Sequence, residues 1–423
     1  MSRDKNMQYQ KKLKKICYAL LFSCAISSLS YASIDSNIAK LQQQATQGDA
    51  EAQFELARAY QRQDVERNDL KLQKQAFVWY TKAAQQGHIN AQYVLGLMHD
   101  LGLGTEVNFQ QAMFWYGKAA QQGYANAQVA LGRGYQTGEG IEKNAPLGFA
   151  WILKAAEQGL EDAQYRVGAS YQYGIGQSKN DAEALKWYTK AAQQGSMEAQ
   201  YSLGLIYGLG ESVPKDDAQA VQWYLKAGEQ GHLDAKYMLG VHYFYQNDAD
   251  FPQALYWYKQ AAEQDVPEAQ SQMGVLFQFG IGVKRDLAQA QLWYEKASQQ
   301  KYAKAMRFLA LMHQHEKGDM QHLSKAYALF SQAAHLQDAP AMYHLAKMYE
   351  TGQGIPQSLA QAILWYEKAI ALDDAGAAYR LGLLYEKGHG VKQNKQEAKR
   401  LYELAIQQDY TEARTQLEQL KIE

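Results

Sequence analysis

The sequence predicts an all-α protein built as one long stack of helix pairs. Three observations carry this prediction. All eight tryptophans, Trp79, Trp115, Trp151, Trp187, Trp223, Trp257, Trp293 and Trp365, stand on one ladder with a period of 36 residues, broken only by a step of 34 from Trp223 to Trp257. Leu329 and Leu401 fill its two remaining rungs. A second ladder runs in phase: Gly96, Gly132, Gly168, Gly204, Gly240, Gly274 and Gly382, with Ala57, Ala310 and Ala346 at the other rungs. Seven residues before most tryptophan rungs stands a helix-capping residue: Asn108, Asn144, Asn180, Asp216, Asp250, Asp286, Ser358 and Asn394. A fixed period of this length marks a solenoid, in which each unit packs only on its neighbours and length does not translate into separate globular domains.

The elements follow in chain order. Residues 1–32 read as a secretory leader. Lys11, Lys12, Lys14 and Lys15 form the basic region, 16–29 the apolar region, and Ser30-Tyr31-Ala32 the small-x-small signal, which predicts cleavage after Ala32. A lipid-modified Cys24 is the competing reading. The apolar run is too short to span a membrane with such flanks. The whole chain has 43 basic and 44 acidic residues. Removing a leader that holds Arg3, Lys5, the four lysines and Asp4 leaves a net charge of −6. That balance speaks against nucleic acid as a partner. Both cysteines, Cys17 and Cys24, lie in the leader, so disulfide and thiol chemistry are not expected beyond it.

Residues 33–48 predict a lone capping helix, with Ile38, Leu41 and Ala45 at helical spacing. From 49 to 410 each unit predicts two helices. In helix A, Ala127, Leu131 and Tyr135 share a face. A loop with glycines two apart follows, as at Gly102/Gly104 and Gly138/Gly140. In helix B, Ala112, Trp115, Tyr116, Ala119 and Ala120 form the buried stripe, and a glycine such as Gly123 ends it. None of the six prolines falls in a helix interior. The glycine inside helix A costs about 1 kcal/mol relative to alanine. The expectation is that it admits the tryptophan of helix B, which is then buried. Past Asp250 the terminal glycine of helix B is replaced by Asp265, Lys301, Gln337, Asp373 and Asp409, which predicts less regular stacking. Residues 411–423 predict a polar closing helix.

This pattern resembles the Sel1-like repeat, a branch of the tetratricopeptide-type helical repeats. The resemblance implies a right-handed superhelix of about ten helix pairs whose concave groove, lined by helix A, holds protein partners. Together with the leader, it implies an exported, non-enzymatic scaffold, periplasmic in a bacterial envelope, or alternatively a secreted or surface factor that binds a host protein. Cysteine-rich relatives suggest a remote alternative, β-lactam binding or hydrolysis, but their paired cysteines are missing here. The sequence carries no HExxH, no phosphate-binding loop and no nucleophile elbow. No catalytic residue, cofactor or metal is therefore expected. His313, His315, His322, His335 and His344 cluster in sequence near Glu316 and Asp319. His313 stands where helix A usually has tyrosine, however, so it reads as a core variant.

Two groups are candidates for partner contact. The first is the aromatic run His242, Phe244 and Tyr245, with Phe251, in the unit whose loop has lost two residues and both glycines. Exposed aromatics beside a shortened loop suit a partner, while repacking of the deletion is the alternative. The second is the tyrosine rung of helix A, represented by Tyr165, Tyr201 and Tyr237, which could line the groove or serve the core.

Overall fold

A computed structural model describes residues 31–420 except Asn68, Asn247 and 316–319, with only the backbone described at 31–37 and 65–67. Most of the leader, residues 1–30, lies outside the described residues. The expected cleavage point after Ala32 falls within the first described helix, α1 (Tyr31–Thr46).

Helix pairs follow, and among the described residues there are no strands. The pairs are α2 (Ala50–Arg67) with α3 (Leu70–Gln85), α4 (Ile89–Leu101) with α5 (Phe109–Gln121), and α6 (Ala125–Thr137) with α7 (Ala145–Glu157). Next come α8 (Glu161–Tyr173) with α9 (Asp181–Gln193), and α10 (Met197–Leu209) with α11 (Asp217–Glu229). Then α12 (Leu233–Tyr245) precedes α13 (Phe251–Ala262), α14 (Pro267–Phe279) precedes α15 (Leu287–Gln299), and α16 (Ala303–His315) precedes α17 (Met320–His335). The last pairs are α18 (Ala339–Thr351) with α19 (Leu359–Ile370) and α20 (Ala375–Lys387) with α21 (Lys395–Gln407), closed by α22 (Glu412–Gln419). The helices group into two compact units that meet between Ala220 and Val221, inside α11. Within each unit, consecutive helices pack on one another.

Local chemistry sets the helix ends. Asn108, Asn144 and Asn180 each accept a backbone N–H three residues on, and Asp216, Asp250, Asp286, Ser358 and Asn394 do the same. Each such cap is worth about 1 kcal/mol over alanine. At the first pair the cap lies earlier in the chain, because Asp69 caps α3. Helix B ends in a left-handed residue. The Gly87 N–H donates to Ala84 and the His88 N–H to Ala83, so the last carbonyls are satisfied.

The predicted loosening past Asp250 does not occur at these ends. Asp265, Lys301, Gln337, Asp373 and Asp409 adopt φ between 60° and 67°, the region the glycines of the first unit occupy. Backbone satisfaction at the turn outweighs the roughly 1–2 kcal/mol that a side chain costs there.

The buried tryptophan fitted to a glycine is also corrected. A Cβ built on Gly168 would lie 2.7 Å from Tyr188 Cδ1, and Gly96 meets Tyr116 at 2.6 Å in the same way. The side chain over the helix-A glycine belongs to the residue after the tryptophan rung: Tyr116, Tyr188, Tyr258 and Tyr294, Tyr402 after Leu401, and Ile152 over Gly132. These tyrosines are fully buried. The tryptophans turn toward the preceding pair, Trp115 onto the core around Ala83 and Leu95, Trp151 onto that around Ala119. Trp79, Trp115, Trp151, Trp187 and Trp223 are only half-buried, whereas Trp257, Trp293 and Trp365 are buried as expected. A lysine one turn on covers most of the series, with Lys82, Lys154, Lys190, Lys226, Lys296 and Lys368 lying 4.0–4.3 Å from the indole centroids. The cation–π attraction and the lysine stem together shield the ring.

Candidate partner-binding surface

Three polar contacts recur from repeat to repeat. The tyrosine that fills the glycine slot donates its hydroxyl to an acceptor four residues after that glycine: Tyr116 to Asp100, Tyr188 to Gln172, Tyr294 to Gln278, Tyr402 to Glu386. A lysine covers the tryptophan. A buried glutamine of helix A ties repeats together. Gln92 donates to the Ala84 carbonyl and accepts from Gln122 at 2.8 Å, and Gln128, Gln164 and Gln270 do likewise with Gln158, Gln194 and Gln300. The sequence reading missed this glutamine ladder. Its signal was the recurring Ala-Gln of Ala91-Gln92, Ala127-Gln128 and Ala163-Gln164.

The pair α12–α13 breaks all three contacts. Phe244 takes the acceptor slot, so the Tyr258 hydroxyl, on a residue with no exposed surface, has no hydrogen-bond partner among the described residues. Gln260 takes the lysine slot, and the Trp257 Nε1 is likewise without a partner. Lys236 takes the glutamine slot, and Gln264 turns back to the Gln260 carbonyl instead. Burial, followed by the nearby Tyr237 and Tyr245, pushes the Tyr258 phenol far up, so it stays a neutral donor. An unmade buried hydrogen bond costs about 1–3 kcal/mol, so this pair gives up stability its neighbours keep.

The predicted aromatic run divides. Phe244 packs edge-on to Phe251 at 5.7 Å and to Tyr245 at 4.7 Å, over the core of α13 and α14. His242 is half-buried against Tyr243 at 5.4 Å. Tyr245, the last residue of α12, is 67% exposed. Phe279, the last residue of α14 and the same repeat position, is 62% exposed and was not singled out from sequence. Tyr256 is exposed as well. On the helix-A rung, Tyr165 and Tyr237 are half-buried at 5.7 Å and 5.8 Å from Tyr188 and Tyr258, and Tyr201 is half-buried too. Among the described residues no set of three or more His, Cys, Asp or Glu side chains gathers as metal ligands. No described helix is long and apolar enough to cross a membrane.

The structure thus defines an α-solenoid of helix-pair repeats with aromatic side chains presented at helix ends. The chain belongs to the Sel1 repeat family. The Sel1 repeat matches ten times, at 50–88, 89–124, 125–160, 161–196, 198–232, 233–266, 267–302, 303–338, 339–374 and 375–410. Among solved structures, the chain is similar to a protective antigen present in uropathogenic Escherichia coli strains that displays an SLR fold. That match has 29% identity and a TM-score of 0.62 over 91% of each chain. A Sel1 repeat protein from Oxalobacter formigenes is 36% identical over 56% of this chain and 95% of its own, with a TM-score of 0.49. No curated protein sequence matches. Sel1 repeat proteins generally mediate protein–protein contacts and are typically non-catalytic.

Proposed function

We propose that this chain is an exported, non-enzymatic scaffold that holds a protein partner on the surface around α12–α14. The observation that carries the reading is the break in the α12–α13 pair. The α12–α13 pair buries two polar atoms, the Tyr258 hydroxyl and Trp257 Nε1, with no hydrogen-bond partner among the described residues, and beside it Tyr245 and Phe279 stand in solvent. Aromatic rings of this kind are the common anchors of protein interfaces. Buried polar groups left unsatisfied at one place in a fold are a usual mark of a functional position.

Export rests on the basic, apolar and small-x-small order of residues 1–32. It points to the periplasm of a bacterial envelope, with lipid attachment at Cys24 as the variant form. A surface or secreted role against a host protein is the second reading. It is favoured by the likeness to the uropathogenic antigen.

Two experiments test the proposal. Affinity purification with the chain and with Tyr245→Ser and Phe279→Ser variants should lose the same co-purifying protein in both variants while the fold is retained. Unchanged recovery removes this surface from the function. Fractionation of cells that express the full chain or residues 33–423 tests export: only the full chain should leave the cytoplasm.

A further inference from the structure

Most repeats bring two positions together across the loop from helix A to helix B. The N–H of the residue at the helix-B cap position donates to a carbonyl of helix A: Asn144 to Tyr135, Asn180 to Tyr171, Asp286 to Phe277, Ser358 to Tyr349, Asn394 to Tyr385. The two positions are nine residues apart in each case. In the pair α16–α17 both carry histidine. His313 stands at the position of Tyr135 and Tyr171, and His322 at that of Asn144 and Asn180. Their imidazoles converge with Nδ1 to Nδ1 at 3.1 Å and ring centroids 5.3 Å apart. His313 is 6% exposed and His322 half-buried.

We propose that His313 and His322 hold a divalent transition-metal cation of the zinc and copper class between their Nδ1 atoms. Histidine nitrogens bind zinc at about 2.0–2.1 Å. Two such bonds to nitrogens 3.1 Å apart enclose an angle of roughly 100°, within the range of tetrahedral and tetragonal shells. The nitrogen separation therefore suits a shared cation, which takes the place of the hydrogen bond that joins the two Nδ1 atoms in the structure. With the cation bound, each neutral ring carries its proton on Nε2 and gives the Nδ1 lone pair to the metal, so the ring that holds its proton on Nδ1 in the hydrogen-bonded pair shifts to the other tautomer. Among the described residues these two imidazoles are the only histidine, cysteine or carboxylate side chains assigned to the site. Imidazole donors select Cu²⁺ and Zn²⁺ over Mg²⁺ and Ca²⁺. This departs from the expectation that the chain binds no metal. Glu316 and Asp319, which prompted that question in the sequence, lie outside the described residues.

The test titrates the metal-free chain with Cu²⁺, Zn²⁺ and Mg²⁺ by calorimetry and follows Cu²⁺ by electron paramagnetic resonance. The expected result is one saturable Cu²⁺ site with nitrogen hyperfine structure, weaker Zn²⁺ binding and no Mg²⁺ binding. His322→Gln should weaken Cu²⁺ at least tenfold. His313→Tyr restores the residue that this position carries in other repeats, so it keeps the fold and should weaken binding as much. His335→Gln, on an exposed histidine of α17, is the control and should change nothing. No saturable site, or binding that survives in the folded His313→Tyr variant, would overturn the proposal and leave the two rings as a hydrogen-bonded pair only.

Discussion

Gly168 lies beneath the ring of Tyr188, so close that a methyl group there would sit 2.7 Å from Cδ1. Two effects compete at this point. Alanine is favoured over glycine in a helix by about 1 kcal/mol, but overpacking a core costs typically 1–3 kcal/mol. Steric conflict wins, so Gly168→Ala should lower the melting temperature. Gly117 in α5 has no atom within 4 Å of its would-be Cβ, and Gly117→Ala should raise stability by roughly 0.5–1 kcal/mol. Paired thermal melts check both signs.

The tyrosine hydroxyls give a second contrast. Tyr188→Phe deletes the bond to Gln172 and should cost about 1 kcal/mol. Tyr258→Phe removes a buried hydroxyl that has no partner and should leave stability unchanged or raise it by about 1 kcal/mol. Urea unfolding should therefore show a lowered midpoint for Tyr188→Phe and an unchanged or raised one for Tyr258→Phe.

Lys301 holds a left-handed conformation at φ 63°. Lys301→Gly relieves a side chain of a strain of about 1 kcal/mol and should stabilise the chain, less the entropy that glycine adds to the unfolded state. Gly123→Lys at the matching turn of the first unit, φ 91°, should destabilise it. A stabilised Gly123→Lys variant would show that these turns are not under conformational strain.

His344 supplies the pH prediction. Its ring stacks on Phe330 at 5.1 Å. Burial, followed by the charges of Arg307, Lys347 and His315, brings it down from 6.5 to about 4. The fold favours the neutral ring, so its contribution is fully present above pH 6.5 and is lost as the pH falls toward 4. The melting temperature of the chain should fall more steeply over this window than that of His344→Gln. Parallel slopes would remove His344 from the acid response.

Much of the architecture was legible because each repeat restates it. The Trp ladder, the Asn and Asp caps and the Ala-rich stripe fix the helices and their order. Periodicity does not say which of two adjacent large residues faces the neighbouring helix. Trp187 and Tyr188 lie only 100° apart around α9, and the smaller, polar-tipped ring is the one that enters the glycine slot. The glutamine ladder escaped notice because glutamine reads as a surface residue until its partners one repeat away are known. At the candidate surface, the shortened loop and the aromatic run were visible in the sequence. The unpaired Tyr258 hydroxyl was not, since it appears only once the acceptor position filled by Gln172 and Gln278 is seen to hold Phe244. Phe279 was passed over because it lies outside the run and shares only a repeat position with Tyr245.

The central claim is that the α12–α14 surface is where this scaffold holds its partner. The most direct measurement is site-specific photo-crosslinking in cells, with a photoreactive residue at Tyr245 and, as control, at the exposed Glu403 of α21. One discrete crosslinked protein is expected at position 245, absent at 403 and lost when Phe279→Ser is added. Equal capture at both positions, or none at 245 in a chain shown to be folded, would contradict it.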